Sequence, residues 1–225
     1  MNDEQLDGLL KSGSPVPPAI AEKIRAQIQR DTQPVRPMLS GAAYTLFFCV
    51  TLAVISIVFA ALLSFGGLHA LSAGAAAQLL FILMLLAIFA AGTVAKSMRP
   101  ASGQLRTWLF GSLAFALYES FMVRLLSSYD MDGFVHHGIA CLALGVLCGV
   151  IVAAPIWIIA NRYGFVVEPV LSGGAIGLVG GLAGLVMLTL HCPLLTVPHT
   201  GVWHAAVIVI CVAAGTILGR VKTDR

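Results

Sequence analysis

Stretches of about twenty apolar residues recur along this chain, and the cationic residues fall almost entirely in alternate gaps between them. Six stretches can be marked, at 41–64, 75–94, 107–126, 138–160, 171–190 and 201–218. A helix that crosses the hydrocarbon core of a bilayer needs about 20 largely apolar residues, so each is long enough to cross. Composition excludes a soluble fold: charged residues make up only 10% of the chain and hydrophobic ones 59%, whereas an ordinary globular domain carries about 25% charge. The bilayer must therefore act as solvent, and there backbone polar groups are satisfied only in helices or closed barrels. Stretches of this length predict an all-α membrane protein, with six transmembrane helices behind a short amphipathic N-terminal segment.

The charges set the direction of crossing. Lys11, Lys23, Arg25, Arg30 and Arg36 precede the first stretch; Lys96, Arg99 and Arg106 follow the second, Arg162 the fourth, and Arg220, Lys222 and Arg225 the sixth. Twelve of the 13 Lys and Arg thus lie on one side, which the positive-inside rule makes cytoplasmic. The exception, Arg124, is near the outer end of the third stretch, where its long stem can snorkel to the headgroups. A net charge of +3 therefore reflects topology and gives no indication of nucleic-acid binding. The first forty residues are too polar and too long for a signal peptide, so the first stretch is expected to remain as an anchor. The expected layout is a cytoplasmic head at 1–40, a membrane domain at 41–218 and a cytoplasmic tail at 219–225.

The head divides at Gly13-Ser14-Pro15-Val16-Pro17-Pro18. Before this break, Leu6, Leu9 and Leu10 stand at helical spacing behind Asp3 and Glu4, which suit a helix N-terminus. After it, Pro17 and Pro18 suit the start of a second helix, in which Ile20, Ile24 and Ile28 recur every four residues among polar neighbours. Two short amphipathic pieces cannot build a core, so they need a surface: either lipid or the groove of a soluble protein. The weakly apolar, basic and hinged character of this head fits a protein partner better.

Within the fifth stretch, Gly173, Gly177 and Gly181 form a stripe at every fourth residue, the pattern that lets helix backbones approach closely in membranes. The fourth stretch offers Gly138, Cys141, Gly145 and Gly149 as a comparable small surface, and Pro155 near its inner end is expected to kink it.

Topology also sorts the residues that could carry chemistry. Of five cysteines, Cys49, Cys148 and Cys211 fall inside stretches, where a cysteine is ordinarily a small hydrophobe. Cys192 lies in an outer loop and Cys141 in the first turn of the fourth stretch, so both reach the oxidising side. They could form a reversible disulfide or act as soft ligands to one metal ion. All six histidines, His69, His136, His137, His191, His199 and His204, fall at outer ends or in outer loops. Taken singly, a histidine or Trp203 there can serve merely at headgroup level. Thiolates and imidazoles together, however, are the ligand set favoured by zinc and copper. Cys141, Cys192, His136, His137, His191, His199 and His204 are therefore the candidate metal ligands. No spacing matches a zinc-finger or protease signature. Glu119 is the sole acidic residue deep within a stretch, and such a carboxylate is a functional candidate by default.

The run Leu190-His191-Cys192-Pro193, followed by His199 and by Trp203-His204 at the opening of the last stretch, resembles bacterial membrane anti-sigma factors called negative regulators of sigma F. A cysteine opening the fourth stretch, a proline near its end, Arg162, Pro169 and a glycine-rich fifth stretch extend the resemblance over essentially the whole chain. It implies a protein without enzymatic activity, placed in the bacterial inner membrane with both termini in the cytoplasm. It further implies that the head binds an extracytoplasmic-function-type sigma factor and keeps it from RNA polymerase; the apolar residues of the two amphipathic pieces, Leu6, Leu9, Leu10, Ile20, Ile24 and Ile28, are the candidates for that contact by their helical spacing. Cys141 and Cys192 occupy the positions of a cysteine pair implicated in sensing metal or oxidative stress. No obligatory cofactor is implied, only a sensed soft or borderline metal ion; membrane lipid and a further copy of the chain complete the expected partners, with no direct contact to nucleic acid. The competing reading is a small metal or ion transporter that uses the outer His/Cys cluster and Glu119. The scarcity of polar residues along the stretches speaks against it, since a substrate path needs several. A membrane thiol oxidoreductase is weaker still, for want of a Cys-x-x-Cys pair.

Overall fold

A computed structural model describes residues 18–31, 40–98, 134–163 and 168–223. They fall into two units, Met1–Pro37 and Met38–Arg225, and every regular element among the described residues is helical. In the first unit, helix α1 spans Pro18–Asp31. Proline suits its first position because the N–H it lacks would have no partner there. Ile20 is half-buried and Ile24 is 42% exposed. Leu6, Leu9, Leu10 and the side chain of Ile28 lie outside the described residues. A helix of 14 residues is marginal in water by itself, so an apolar residue left on its surface is available to a partner.

The second unit contains α2 (Gly41–Leu63), α3 (Ala73–Ser97), α4 (Phe134–Tyr163), α5 (Pro169–His191) and α6 (Ala205–Thr223), with short turns at Gly66–His69, Val197–His199 and Thr200–His204. Five helical segments are long and apolar enough to cross a membrane, the last of them running from Val197 to Val221. The sixth expected crossing, 107–126, with Glu119 and Arg124, lies outside the described residues. Ser40 and Ser72 open α2 and α3 by accepting hydrogen bonds from the backbone N–H of Ala43 and Ala75, at 3.1 and 3.3 Å. Helix α4 begins four residues before the expected stretch and runs unbroken through Pro155 to Tyr163. An apolar window marks the hydrocarbon region, whereas the helix itself continues into the headgroup layer.

Helix α5 is the axis of this unit. In its span 83% of the positions are buried, against 22–33% in the other four. Its glycines occupy two faces. A Cβ added at Gly173 or Gly177 would meet the carbonyl oxygen of Gly215 or Cys211, and at Gly181 it would come within 2.7 Å of the Ile208 Cα, so this stripe lies against α6. A Cβ at Gly180 would lie 2.6 Å from the Gly149 carbonyl oxygen, and one at Gly184 would meet that of Gly145, so the second face lies against α4. The expected small surface on α4 is therefore used, but by Gly180 and Gly184, while the Gly173 stripe is taken by α6. The pairs also give direction: α4 and α6 both run antiparallel to α5. Helix α2 runs parallel to it, with Ser56 Oγ donating to the Ala183 carbonyl at 2.9 Å in the buried core. Cys49 of α2 contacts the Ala87 carbonyl of α3, and Thr45 is the neighbour of Gly92, so α3 is antiparallel to α2.

Lipid tails are as apolar as leucine, so close approach and internal hydrogen bonds, rather than exclusion of apolar surface, hold such a bundle together. The outward faces accordingly remain apolar, with Leu46, Phe47, Val50, Val54 and Leu62 of α2 exposed. Gly177→Ala should lower the thermal stability of the detergent-solubilised protein by about 1–3 kcal/mol, the range for overpacking a filled core. Gly74→Ala, where an added Cβ has nothing within 4 Å, should leave it unchanged or raise it slightly; a thermal melt of both variants checks the contrast.

Candidate metal centre

At the end of the bundle where α4 begins and α5 stops, four side chains converge. Cys141 is about two turns into α4, not in its first turn as expected, because the helix starts at Phe134. Cys192 caps α5: its N–H donates to the Leu188 carbonyl at 2.7 Å, and its own backbone is extended, at φ −72° and ψ 116°. Pro193 is the local cause, since the residue before a proline is driven out of the helical region. The chain then turns at Val197–His199, with Pro198 in its first turn, and enters a π turn, Thr200–His204, that leads directly into α6.

That π turn aligns the histidines. Positions five apart on a regular α-helix differ by about 140° around the axis. The wider turn, with its i→i+5 hydrogen bonding, returns them to one face. The rings of His199 and His204 consequently meet edge to face, with centroids 5.3 Å apart. Cys141 Sγ donates to Cys192 Sγ at 3.7 Å, and His199 Nε2 lies 3.5 Å from Cys192 Sγ. All four prospective ligand atoms are within 4.8 Å of one another. The residues are 9%, 2%, 3% and 0% exposed in the order Cys141, Cys192, His199, His204.

The Cys141–Cys192 and Cys192–His199 spacings match what a tetrahedral ion requires. Zn–S bonds of about 2.3 Å and Zn–N bonds of about 2.0–2.1 Å place tetrahedral ligands about 3.8 Å apart for S···S and about 3.5 Å for S···N. His204 supplies an independent sign. Both its ring nitrogens are buried and neither meets hydrogen-bond geometry with a described residue, although the ring lies beside the Cys192 thiol and interacts with it. A cation at the centre of the four would accept one of those nitrogens as ligand. The Cys141 thiol, donating to Cys192, draws the Cys192 thiol well below its usual range; burial opposes this, while His199 and then His204 reinforce it. One sulfur of the pair, that of Cys192, is thus favoured as thiolate, the form that binds metal.

Four of the seven expected ligands come together, and three do not. His136 and His137 are exposed at the start of α4 and stack edge to face on each other, with centroids 5.4 Å apart. They point away because the helix begins early enough to carry them beyond the cluster. His191 turns its Nδ1 to the Ser64 carbonyl oxygen at 3.1 Å. Cys148, two turns below Cys141, is fully buried with Ser56 and Cys211 as neighbours, and it is separate from the cluster. Trp203 packs on Phe134 with centroids 5.5 Å apart and covers Gly138, where a Cβ would strike its ring. The π turn and the wall formed by Ser64, Gly66 and Gly67 escaped sequence reasoning; the adjacent glycines are a signal for the close approach of the wall, and the sequence carries none for the π turn.

Fold and site together define a helical membrane protein with a closed cluster of two thiols and two imidazoles at one end of its bundle. The chain belongs to the family described as negative regulator of sigma F, whose model matches residues 28–223. Its partner is accordingly a sigma factor, and its activity is that of a regulator. Comparison with curated proteins and with solved structures found no match.

Titration of the purified chain with Co²⁺ should produce the visible absorption of a tetrahedral thiolate complex, displaced by Zn²⁺. If four ligands share the roughly 10–16 kcal/mol typical of structural zinc, loss of one removes about 3 kcal/mol. Cys141→Ser, Cys192→Ser or His204→Ala should therefore weaken binding on the order of 100-fold. The double replacement of His136 and His137 by Ala should leave it unchanged.

Proposed function

We propose that this protein is an anti-sigma factor whose head, 1–40, holds an extracytoplasmic-function-type, sigma F-like factor at the bacterial inner membrane. It releases the factor when metal or oxidative stress acts on Cys141 and Cys192 at the periplasmic face. The family assignment supplies the negative regulation of a sigma factor. The charge pattern supports the orientation: Lys96, Arg162 and Arg220 stand at the ends of α3, α4 and α6, opposite the cluster. The amphipathic helix α1, with Ile24 on its surface, supports docking through the head.

The Cys141–Cys192–His199–His204 cluster carries the sensing reading. Of the two signals, metal is favoured over oxidation, because two imidazoles converge on the two thiols and a disulfide would use neither of them. A soft or borderline ion, Zn²⁺ or Cu⁺ in class, suits two thiolates and two imidazoles. Four protein ligands leave no coordination position open, which is the form of structural rather than catalytic zinc sites. A closed site also suits sensing better than transport, in which the ion must leave again. Regulation follows only if the ion binds the sigma-releasing state more tightly than the sigma-holding one.

The full chain, solubilised in detergent, should capture the host's cognate extracytoplasmic-function sigma factor, and the combined replacement of Ile20, Ile24 and Ile28 by Asp should abolish capture. In cells, the double replacement of Cys141 and Cys192 by Ser should insert normally yet fail to induce the sigma regulon on metal challenge. Full induction in that variant would exclude this site as the sensor.

A further inference from the structure

The neighbourhood of Cys192 contains a residue that is not among the four converging side chains and yet joins them to α2, the helix that follows the head in the chain. We infer that His191 is a positioning residue: it fastens the backbone beside Cys192 to the end of α2, so that a change at the cluster is passed to α2 and from there to the head. This rests on the sensor reading proposed above.

Three contacts carry it. First, His191 Nδ1 lies 3.1 Å from the Ser64 carbonyl oxygen. A carbonyl only accepts, so Nδ1 bears the proton and the ring is held in one tautomer. Second, the turn after α2 is pressed against the same few residues. A Cβ at Gly67 would meet the Thr189 carbonyl oxygen and come within 2.7 Å of that of Cys192, and one at Gly66 would be 2.9 Å from that of His191. Third, two turns below, Ser56 Oγ donates to the Ala183 carbonyl at 2.9 Å. Together these fasten the outer half of α2 to the outer half of α5, and because the two helices are parallel the ties run in register.

Ser64 gives the junction a particular character. Its φ of 112° and ψ of 156° fall in a region open essentially to glycine alone, where other residues persist only if their surroundings hold them. What holds it is on either side: its N–H donates to the Ala60 carbonyl at 2.8 Å, and its carbonyl accepts from His191. The strained residue is thus clamped between α2 and the neighbour of a cluster cysteine. A shift of the Cys192 backbone moves His191, and His191 moves the carbonyl of Ser64. Strain of this kind is stored where a segment has two arrangements to choose between.

Hydrogen–deuterium exchange of the full chain in nanodiscs, with and without Zn²⁺, tests this. Alongside it, Zn²⁺ affinity is measured by chelator competition in wild type, His191→Leu and His191→Asn. The Asn amide can offer a donor near the position of Nδ1, whereas Leu cannot. In wild type, Zn²⁺ should change exchange in α1 and in the first turns of α2. His191→Leu should bind Zn²⁺ within about threefold of wild type yet lose that distant change, and His191→Asn should restore it. An unaltered distant change in His191→Leu would overturn the inference while leaving the sensor reading intact. A loss of affinity of about tenfold or more in His191→Leu would overturn it too, by making His191 part of the binding site. Zn²⁺ binding to wild type with no distant change would overturn both the inference and the sensor reading.

Discussion

Backbone-to-backbone approach along α5 is the constraint on which the rest of the membrane unit depends. In lipid, apolar side chains gain nothing by exchanging tails for one another. The bundle must therefore be held by contacts that only small residues permit. Gly173, Gly177 and Gly181 admit α6, while Gly180 and Gly184 admit α4, so one helix is enclosed by two partners at distances that leave no room for a Cβ. That enclosure fixes the register of α4 and α6 against α5. The register in turn decides that Cys141 of α4, Cys192 at the end of α5 and His199 and His204 leading into α6 arrive at the same level.

The cluster then depends on two local departures from regular helix. Pro193 ends α5 at Cys192 and turns its backbone extended, which directs the thiol toward Cys141. The π turn at Thr200–His204 brings two histidines five residues apart onto one face. The burial of His204 with neither ring nitrogen in hydrogen-bond geometry to a described residue is unfavourable unless something completes it. Structure that is locally costly and spatially convergent is characteristic of a functional site, and here the cost falls on residues whose chemistry is that of metal ligation. The same end of the bundle joins α5 to α2 through Ser64 and His191, so the cluster is tied to the C-terminal end of α2.

Much of this was legible in the chain itself. Apolar length gives the class and five of the expected crossings, and the alternation of those stretches puts Cys141 and Cys192 at the same end of the bundle, because these depend only on the thickness of hydrocarbon. The His-Cys-Pro run and its sequel suffice to suggest the family. The same reasoning yields seven candidate ligands without being able to separate His199 and His204 from His136, His137 and His191. All five are expected at the same end of the bundle and near a cysteine in sequence, and sequence distance does not report direction around a helix.

What the sequence by itself determined is therefore the solvent this protein folds in, the length and kind of its elements and the pool of residues available at one face. These follow from composition read one segment at a time. Only the tertiary structure decided which glycine face meets which helix, which four of seven ligands converge and that His191 turns to Ser64 instead. Such choices depend on the rotation and register of helices packed against one another, and on two short irregular turns whose backbone angles no apolar pattern encodes.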